Sequence, residues 1–532
     1  MPSTAVRVAV ALSGGVDSAV VALLLKRCAS QWRDVEALCS LNNPLSLGEL
    51  QKTLEQRRSW SDVLPTPSKM MIRGPHDLSA SVHYVPVFMK NWEDAVEVRD
   101  GRRVWCEMAQ QDYNDATEVA RSIGLLSSGE MMPLHNYSAR YVEKCFEPML
   151  DAYARGATLN VDILCNSEVK FHALLNTLID SDKAHYIATG HYARTALFQC
   201  DDNDRGKVQV IARPFSAGRD LNDQTVFLSR LSTLQASKAL FPLGHVFKEK
   251  ADVRAVAAYF GLTAVCKKKT STGICFVGEH YKRKSHNDGD VDNDKKMHPG
   301  CGFSSFLEEY IAPNNITLER IVAGGSKTKF VNAETGNEVE ASKLLLFGGS
   351  NTSVLPAYSV TLGQLIRGKD NSGRVLRYYV QNKELFPLQE CDGEKEGDCL
   401  RFLRTVWLVD RWDHPLLYKS VAELKDVALS LHPRSLGQHG EEIRLRCLCC
   451  ARHQEPLRQA TLCFALRDVH EANDCIRVSY ATVVFDAPVR ALTTGQALVA
   501  YWPLNTCAVD GAASLFVLAS GWITETTGNP VV

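Results

Sequence analysis

Through the first half of the chain, short apolar runs alternate with helical periodicities. "VRVAVAL" (residues 6–12) has the β-branched density of a buried strand, and "AVVALLLKR" follows it as an almost continuously apolar helix. "VHYVPVFM", "DATEVARSIG", "YVEKCFEPMLDAY" and "HYIATGHYAR" continue the alternation. This rhythm predicts an α/β unit, a parallel sheet covered by helices. From about Arg401 the pattern changes to short strands with turns, as in "EEIRLRCLCC", "IRVSYATVVF" and "ALVAYW", which predicts a small β-barrel-like unit. Two stretches interrupt the pattern. Residues 40–82 are too long for an ordinary connection and read as a surface insertion, although "LGELQKTLEQRRSW" has helical character. Residues 283–300, rich in Asp, Asn, Lys and Gly, read as a disordered spacer. The resulting division is an α/β unit over 1–279, the spacer and a small central unit over 280–398, and a β-barrel-like unit over 399–532.

Composition narrows the function classes. With 532 residues, 45% of them hydrophobic, the chain is too long for one core. No apolar run approaches the roughly 18–20 residues of a membrane span, and neither a secretory signal nor a transit peptide is expected at the start. Sixty Lys and Arg against 61 Asp and Glu give no global field for a polyanion, so such a partner needs a local basic face. Seventeen cysteines, an odd and scattered number, argue against a disulfide framework and for small buried thiols in a reducing compartment.

"VALSGGVDSAVV" carries the first chemistry. Gly14 and Gly15 sit between strand and helix, where backbone N–H groups and the positive end of the helix meet an anion, and Ser13 and Ser18 add hydroxyls. Asp17 would repel a bare phosphate and suits a magnesium ion or a ribose. The loop lacks the Gly-Lys-Ser/Thr ending of a γ-phosphoryl-transfer site. It resembles the SGGxDS loop of the ATP pyrophosphatases, which release pyrophosphate and transfer AMP. An adenylated oxygen must then be displaced, and sulfur is a suitable nucleophile near neutral pH. Two cysteines have the setting for it: Cys165 in the polar "NVDILCNSEVKF", and Cys275 in "KKKTSTGICFVGE", after Lys267, Lys268 and Lys269, whose charge would lower a thiol pKa.

"SGGVDS", "FMKNW", "DILCNSEVKF", "IATGHYAR", "DQTVFL", "FPLGHVFKEKADVRAVAAYFGL" and "STGICFVGE" occur in the order found in the tRNA-specific 2-thiouridylases, the MnmA/TrmU family, and the chain resembles that family over nearly its whole length. "YSVTLGQLIRG", "CCARHQEPLRQATL" and "VVFDAPVRALTTGQALVAYW" resemble its central and C-terminal β domains. The resemblance implies an ATP-pyrophosphatase fold and adenylation of the C2 oxygen of the wobble uridine of tRNA. It places ATP with Mg2+ at Ala11, Leu12, Ser13, Gly14, Gly15, Val16, Asp17 and Ser18, with Met89 and Gly190 nearby. Cys275 would carry the incoming sulfur as a persulfide, supplied by a cysteine desulfurase or relay protein, and Cys165 would end in a disulfide with it. Asn160, Val161 and Asp162 correspond to the segment that meets the target base, and both prolines of the usual pattern are replaced, by Leu159 and Val161. Asn222, Asp223 and Gln224 correspond to a tRNA-touching segment that has lost its lysine, Arg452 and His453 to a tRNA-contacting pair, and Thr270 replaces a usual Asp.

Other signals count for less. "CLCC" (447–450) with His453 suggests zinc, but no second pair follows at ribbon spacing, so half-buried strand residues and no metal site are expected. His191 and Arg194 in "GHYAR" read as structural or nucleotide-proximal rather than as a catalytic base. The rival functions are another AMP-forming enzyme of this fold, amidating or argininosuccinate-type, and a non-catalytic tRNA-binding relative. Neither needs both a nucleotide loop and two cysteines in polar settings. The expected working form is a monomer, off the membrane, in the mitochondrion or otherwise the cytoplasm.

Overall fold

The computed structural model describes residues 5–40, 44–64, 76–92, 96–97, 103–104, 108–199, 207–214, 222–268, 307, 310–311, 321, 324–345, 354–386, 400–436, 440–472, 475–503 and 514–528. At its centre is a five-stranded parallel sheet. Strand β1 (Val6–Ala11) lies between β2 (Val82–Lys90) and the strand Tyr186–Ala188, with Leu134–Asn136 beyond β2 and Ala239–Leu240 on the opposite edge. Alternation sends Val6, Val8 and Val10 of β1 to one face and Ala9 to the other. The first face is covered by α1 (Val16–Cys28), which is buried nearly all round because the helices Met108–Ile123 and Lys250–Tyr259 flank it.

The stretch expected to be a surface insertion is, between 47 and 64, part of this core. After α2 (Trp32–Leu38) the chain forms α3 (Leu47–Gln56) and α4 (Trp60–Val63), and Leu50, Leu54 and Trp60 are fully buried in the same cluster as α1. Ser46 caps α3 reciprocally with Glu49, and Trp60 Nε1 donates to the Leu24 carbonyl at 3.0 Å. An amphipathic helix ending near a tryptophan is a packing element however long the connection around it. Trp60→Ala is therefore expected to cost about 3–5 kcal/mol, the range for emptying a large aromatic site, as a lowered midpoint in urea unfolding. The spacer, 283–300, lies outside the described residues.

A second, six-stranded sheet forms the middle unit. It contains Lys329–Asn332, Leu344–Leu345, Leu355–Pro356, Leu365–Lys369, Val375–Leu385 and Phe402–Val409. Phe402–Val409, grouped by its pattern with the C-terminal unit, pairs instead with Lys329–Asn332 and Val375–Leu385. The barrel begins at Tyr418. Its strands Tyr418–Leu429, Cys475–Arg490, Arg458–Ala465, Glu442–Cys450, Ala497–Pro503 and Leu515–Thr527 pair in that order, and pairing of the last with the first closes the ring. Val427, Leu445, Leu462, Val483 and Leu518 fill its interior.

The units are stitched together. A hairpin of the first unit, Arg194–Gln199 with Lys207–Ala212, joins the barrel sheet at Phe516. Buried Arg194 donates to the Arg213 carbonyl (2.7 Å) and to Ser514, which makes it a structural residue. Arg230 reaches from the first unit to the Asp426 carbonyl and carboxylate (2.8 and 2.6 Å) and lies over Trp522. Among the described residues no helix is long and apolar enough to cross a membrane.

Candidate active site

Loops at the carboxyl ends of the three central strands meet, as in open parallel sheets generally. β1 runs into the glycine loop. Gly14 has φ +71°, and a Cβ there would stand 2.6 Å from the Asp112 carbonyl oxygen. Ser18 Oγ donates to the Gly15 carbonyl (3.1 Å) and accepts from Ser13 N (3.1 Å), which shapes the loop from within. Gly15 begins α1 without a side-chain cap, so the helix N-terminus keeps its N–H groups for an anion. Gly190, beyond the strand Tyr186–Ala188, closes on the loop, where a Cβ would come within 2.8 Å of Ser18 N. These cradles fit a nucleotide's phosphates. Met89 stands near the end of β2, half-buried.

Asp17 is held by two residues that local pattern does not single out. Tyr192 OH donates to Oδ1 at 2.5 Å and Lys250 Nζ approaches Oδ2 at 3.3 Å. Lys268 bonds Asp112 (2.9 Å) and Asp115, so this member of the lysine run spends its charge on two carboxylates. Lys269, Thr270 and Cys275 lie outside the described residues, and with them the expected Cys165–Cys275 pairing.

Cys165 begins a widened π-helical stretch (Cys165–Leu174) within a helical run entered at Val161. Asn160 caps that run, its Oδ1 accepting from Asp162 N at 2.9 Å. The thiol is half-buried and accepts from Asn91 Nδ2 at 3.5 Å. Burial pushes its pKa up and Asp162 adds to that, while Lys170 pulls it down. Burial also raises the Asp162 carboxyl, opposed by Lys170 and by His453 of the barrel. Lys170 Nζ donates to Asn166 Oδ1 (2.8 Å) and faces His191 Nε2 at 3.4 Å. His191 is kept neutral, since burial and then Lys170 hold its pKa well below the usual value, and its Nδ1 bonds Thr189 Oγ1 at 2.7 Å. A neutral imidazole wedged against a lysine is a scaffold for that lysine.

The barrel closes this site. His453 Nε2 donates to the Asp223 carbonyl at 2.9 Å and its ring packs on Phe227. Gln454 donates to Asn222 (3.1 Å), Arg213 to the Asp223 carboxylate (2.5 Å), and Gln224 accepts from Tyr192 N at 3.0 Å. Asn222, Asp223 and Gln224 thus form a seam between the glycine-loop side of the first unit and the barrel. Arg452 turns inward to Thr493 Oγ1 (3.1 Å) and the Ala491 carbonyl, with Glu455 3.7 Å away. In "CLCC", Cys447 and Cys449 enter the barrel core while Cys450 packs on the opposite side, so strand alternation separates the would-be ligands. Sequence reading missed Asn91, Tyr192 and Lys250 as partners. Asn91, Tyr192 and Lys250 all lie in stretches quoted above, but no local spacing links them to the side chains they touch.

A model of the family described as "tRNA methyl transferase HUP domain" matches residues 78–279. The chain is similar to the tRNA-specific 2-thiouridylase MnmA of Lactobacillus johnsonii, 30% identical over 506 residues, which is 93% of this chain and 92% of the relative. The protein of that name from Bacillus licheniformis is 30% identical over 499 residues, 93% and 91% of the two chains. That of Streptococcus equi subsp. zooepidemicus is 37% identical over 275 residues, 51% and 53% of the two.

Proposed function

The chain belongs to the tRNA-specific 2-thiouridylase family, and from that membership we propose that it carries out ATP-dependent 2-thiolation of the wobble uridine of tRNA. The observation that supports this most directly is that the phosphate-cradling loop and the Cys165 thiol stand at the carboxyl edge of one sheet, linked through Gly190, His191 and Tyr192. ATP is the activating substrate, converting the uridine C2 oxygen into an adenylate whose AMP can leave. Ala11 to Ser18, with Met89 and Gly190, bind the nucleotide, and Asp17 is the loop carboxylate suited to Mg2+.

The sulfur steps use both thiols. The outer sulfur of a Cys275 persulfide attacks C2, the C2–O bond breaks and AMP departs. Cys165 thiolate then attacks the Cys275 sulfur, which forms the Cys165–Cys275 disulfide and releases the thiouridine. A thiol reductant restores both cysteines, and a cysteine desulfurase or relay protein renews the persulfide. Asp162, whose carboxyl holds its proton to higher pH than usual, suits hydrogen bonding to the base beside Asn160 and Val161. Asn222, Asp223, Gln224, Arg452 and His453 are assigned to tRNA contact on family membership, although here Asn222 and Asp223 bond across the seam to the barrel, Gln224 bonds Tyr192, and Arg452 turns inward to Thr493 and the Ala491 carbonyl. The reading extends to a monomer working in the mitochondrion or cytoplasm, which organelle-resolved mass spectrometry of tRNA from cells lacking the protein would decide.

Purified protein, ATP, a tRNA transcript and a persulfide donor should yield thiouridine by mass spectrometry; tRNA that stays unmodified while AMP is released would sink the reading. A raised Cys165 pKa also fixes a sign. The thiolate fraction grows with pH, so the single-turnover rate should rise about tenfold per unit from neutral pH toward that pKa. Lys170→Met removes the opposing charge and should move the rise to higher pH; a flat profile in both proteins would mean Cys165 does not ionise in the limiting step.

A further inference from the structure

The turn Gly156–Asn160 joins the helix Glu147–Ala154 to the run that carries Asp162 and Cys165. It contains no proline, so its own covalent structure leaves it free to move. Its backbone is held from outside by two other units. From the middle sheet, Lys383 on the strand Val375–Leu385 donates through Nζ to the carbonyls of Gly156 (2.6 Å), Ala357 (3.2 Å) and Val360 (3.3 Å). From the barrel, the Thr494 carbonyl accepts from Thr158 N (3.0 Å), and Gln496 Nε2 donates to the Thr158 carbonyl (2.7 Å). Gly495 lies against the same turn so closely that a Cβ would stand 2.6 Å from Thr158 N.

Lys383 is an unusual choice for a packing position. Its three ammonium protons match three carbonyls, and burial alone pulls its pKa down to about 8. Removing an ammonium from water is costly when its bonded partners are neutral carbonyls. Two of those carbonyls belong to the middle unit's own segment Ala357–Val360, while the shortest bond crosses to the turn. The lysine therefore nails one unit to the other at the root of the thiol-bearing helix. Gln496 does the same from the barrel, two residues further along.

We propose that Lys383 and Gln496 are positioning residues for the sulfur-transfer step. They fix the Gly156–Asn160 turn from two sides and thereby set where Asn160, Asp162 and Cys165 stand toward the uridine. This rests on the role given to Cys165 above.

The test uses the full chain with ATP and a tRNA transcript. Lys383→Met and Gln496→Met are each expected to lower the single-turnover thiolation rate at saturating tRNA by about tenfold, the scale of a sub-ångström misplacement. ATP affinity should stay unchanged, because the turn does not touch the glycine loop. Gln496→Glu keeps the shape but sets a carboxylate against the Thr158 carbonyl, so it should lose at least as much. Unimpaired rates in folded variants, or a loss that appears as weaker ATP binding, would overturn the inference. If Lys383→Met does not fold, the two Gln496 variants decide alone. Should Cys165→Ser retain thiolation, the role of Cys165 fails first; should it be inactive while the positioning variants are normal, only the present inference fails.

Discussion

Cys165→Ser and Cys275→Ser are each expected to abolish thiouridine formation, by about 10^3-fold or more, while ATP-dependent release of pyrophosphate on tRNA continues. A hydroxyl neither carries a persulfide sulfur nor attacks one at neutral pH, and removal of a nucleophile is among the largest single effects in enzymes. The structure adds a reason to expect the split at Cys165. Its partners are Asn91 at the end of β2 and the charges of Lys170 and Asp162, and none of these shapes the glycine loop. Serine also fits with little disturbance, since the thiol is half-buried and makes one long hydrogen bond. Product analysis by mass spectrometry alongside a pyrophosphate assay would separate the two halves of the reaction. Wild-type thiouridine from Cys165→Ser would remove that residue from the chemistry.

Gly14→Ala should have the reverse signature, losing ATP binding and with it every later step. At φ +71° an alanine pays about 1–2 kcal/mol in backbone strain, and its Cβ would be driven to 2.6 Å from a carbonyl oxygen of the helix Met108–Ile123. Backbone cannot swing aside as a side chain can, so overpacking adds about 1–3 kcal/mol. Together these predict roughly a 100-fold weaker ATP affinity, equivalent to about 2.7 kcal/mol. Gly190→Ala should act similarly, pressing on Ser18 N from the other side. Asp17→Ala leaves the loop's shape intact but removes the partner of Tyr192 and Lys250, and it should lose pyrophosphate release. Equilibrium nucleotide binding checks the two glycine variants and a pyrophosphate assay checks Asp17→Ala, each with thermal unfolding to exclude collapse; an unchanged dissociation constant in Gly14→Ala would mean the loop does not cradle phosphates.

Whatever chemistry depends on neighbours along the chain was legible in the amino-acid order. Strand, glycine turn and helix start are contiguous from Val6 to Ser18, so the strand–glycine loop–helix arrangement follows from spacing alone. Period-2 and period-3.6 patterns identified parallel-sheet and barrel strands because each element buries its own face. The order of residues did not choose partners. Phe402–Val409 reads as a strand in any sheet, and only packing assigns it to the middle one. "LGELQKTLEQRRSW" reads as a helix followed by a tryptophan, and only the fold shows that the groove beside α1 receives both. The site's electrostatics are equally non-local: Tyr192 and Asp17 are 175 residues apart, and His453 and Asp223 are 230 apart. A hydrogen bond at that separation depends on loop closure and on the burial of every element between, so no short window of sequence encodes it. The tertiary structure alone decided that a barrel histidine, a middle-sheet lysine and a barrel glutamine would converge on the turn and helix that carry one cysteine.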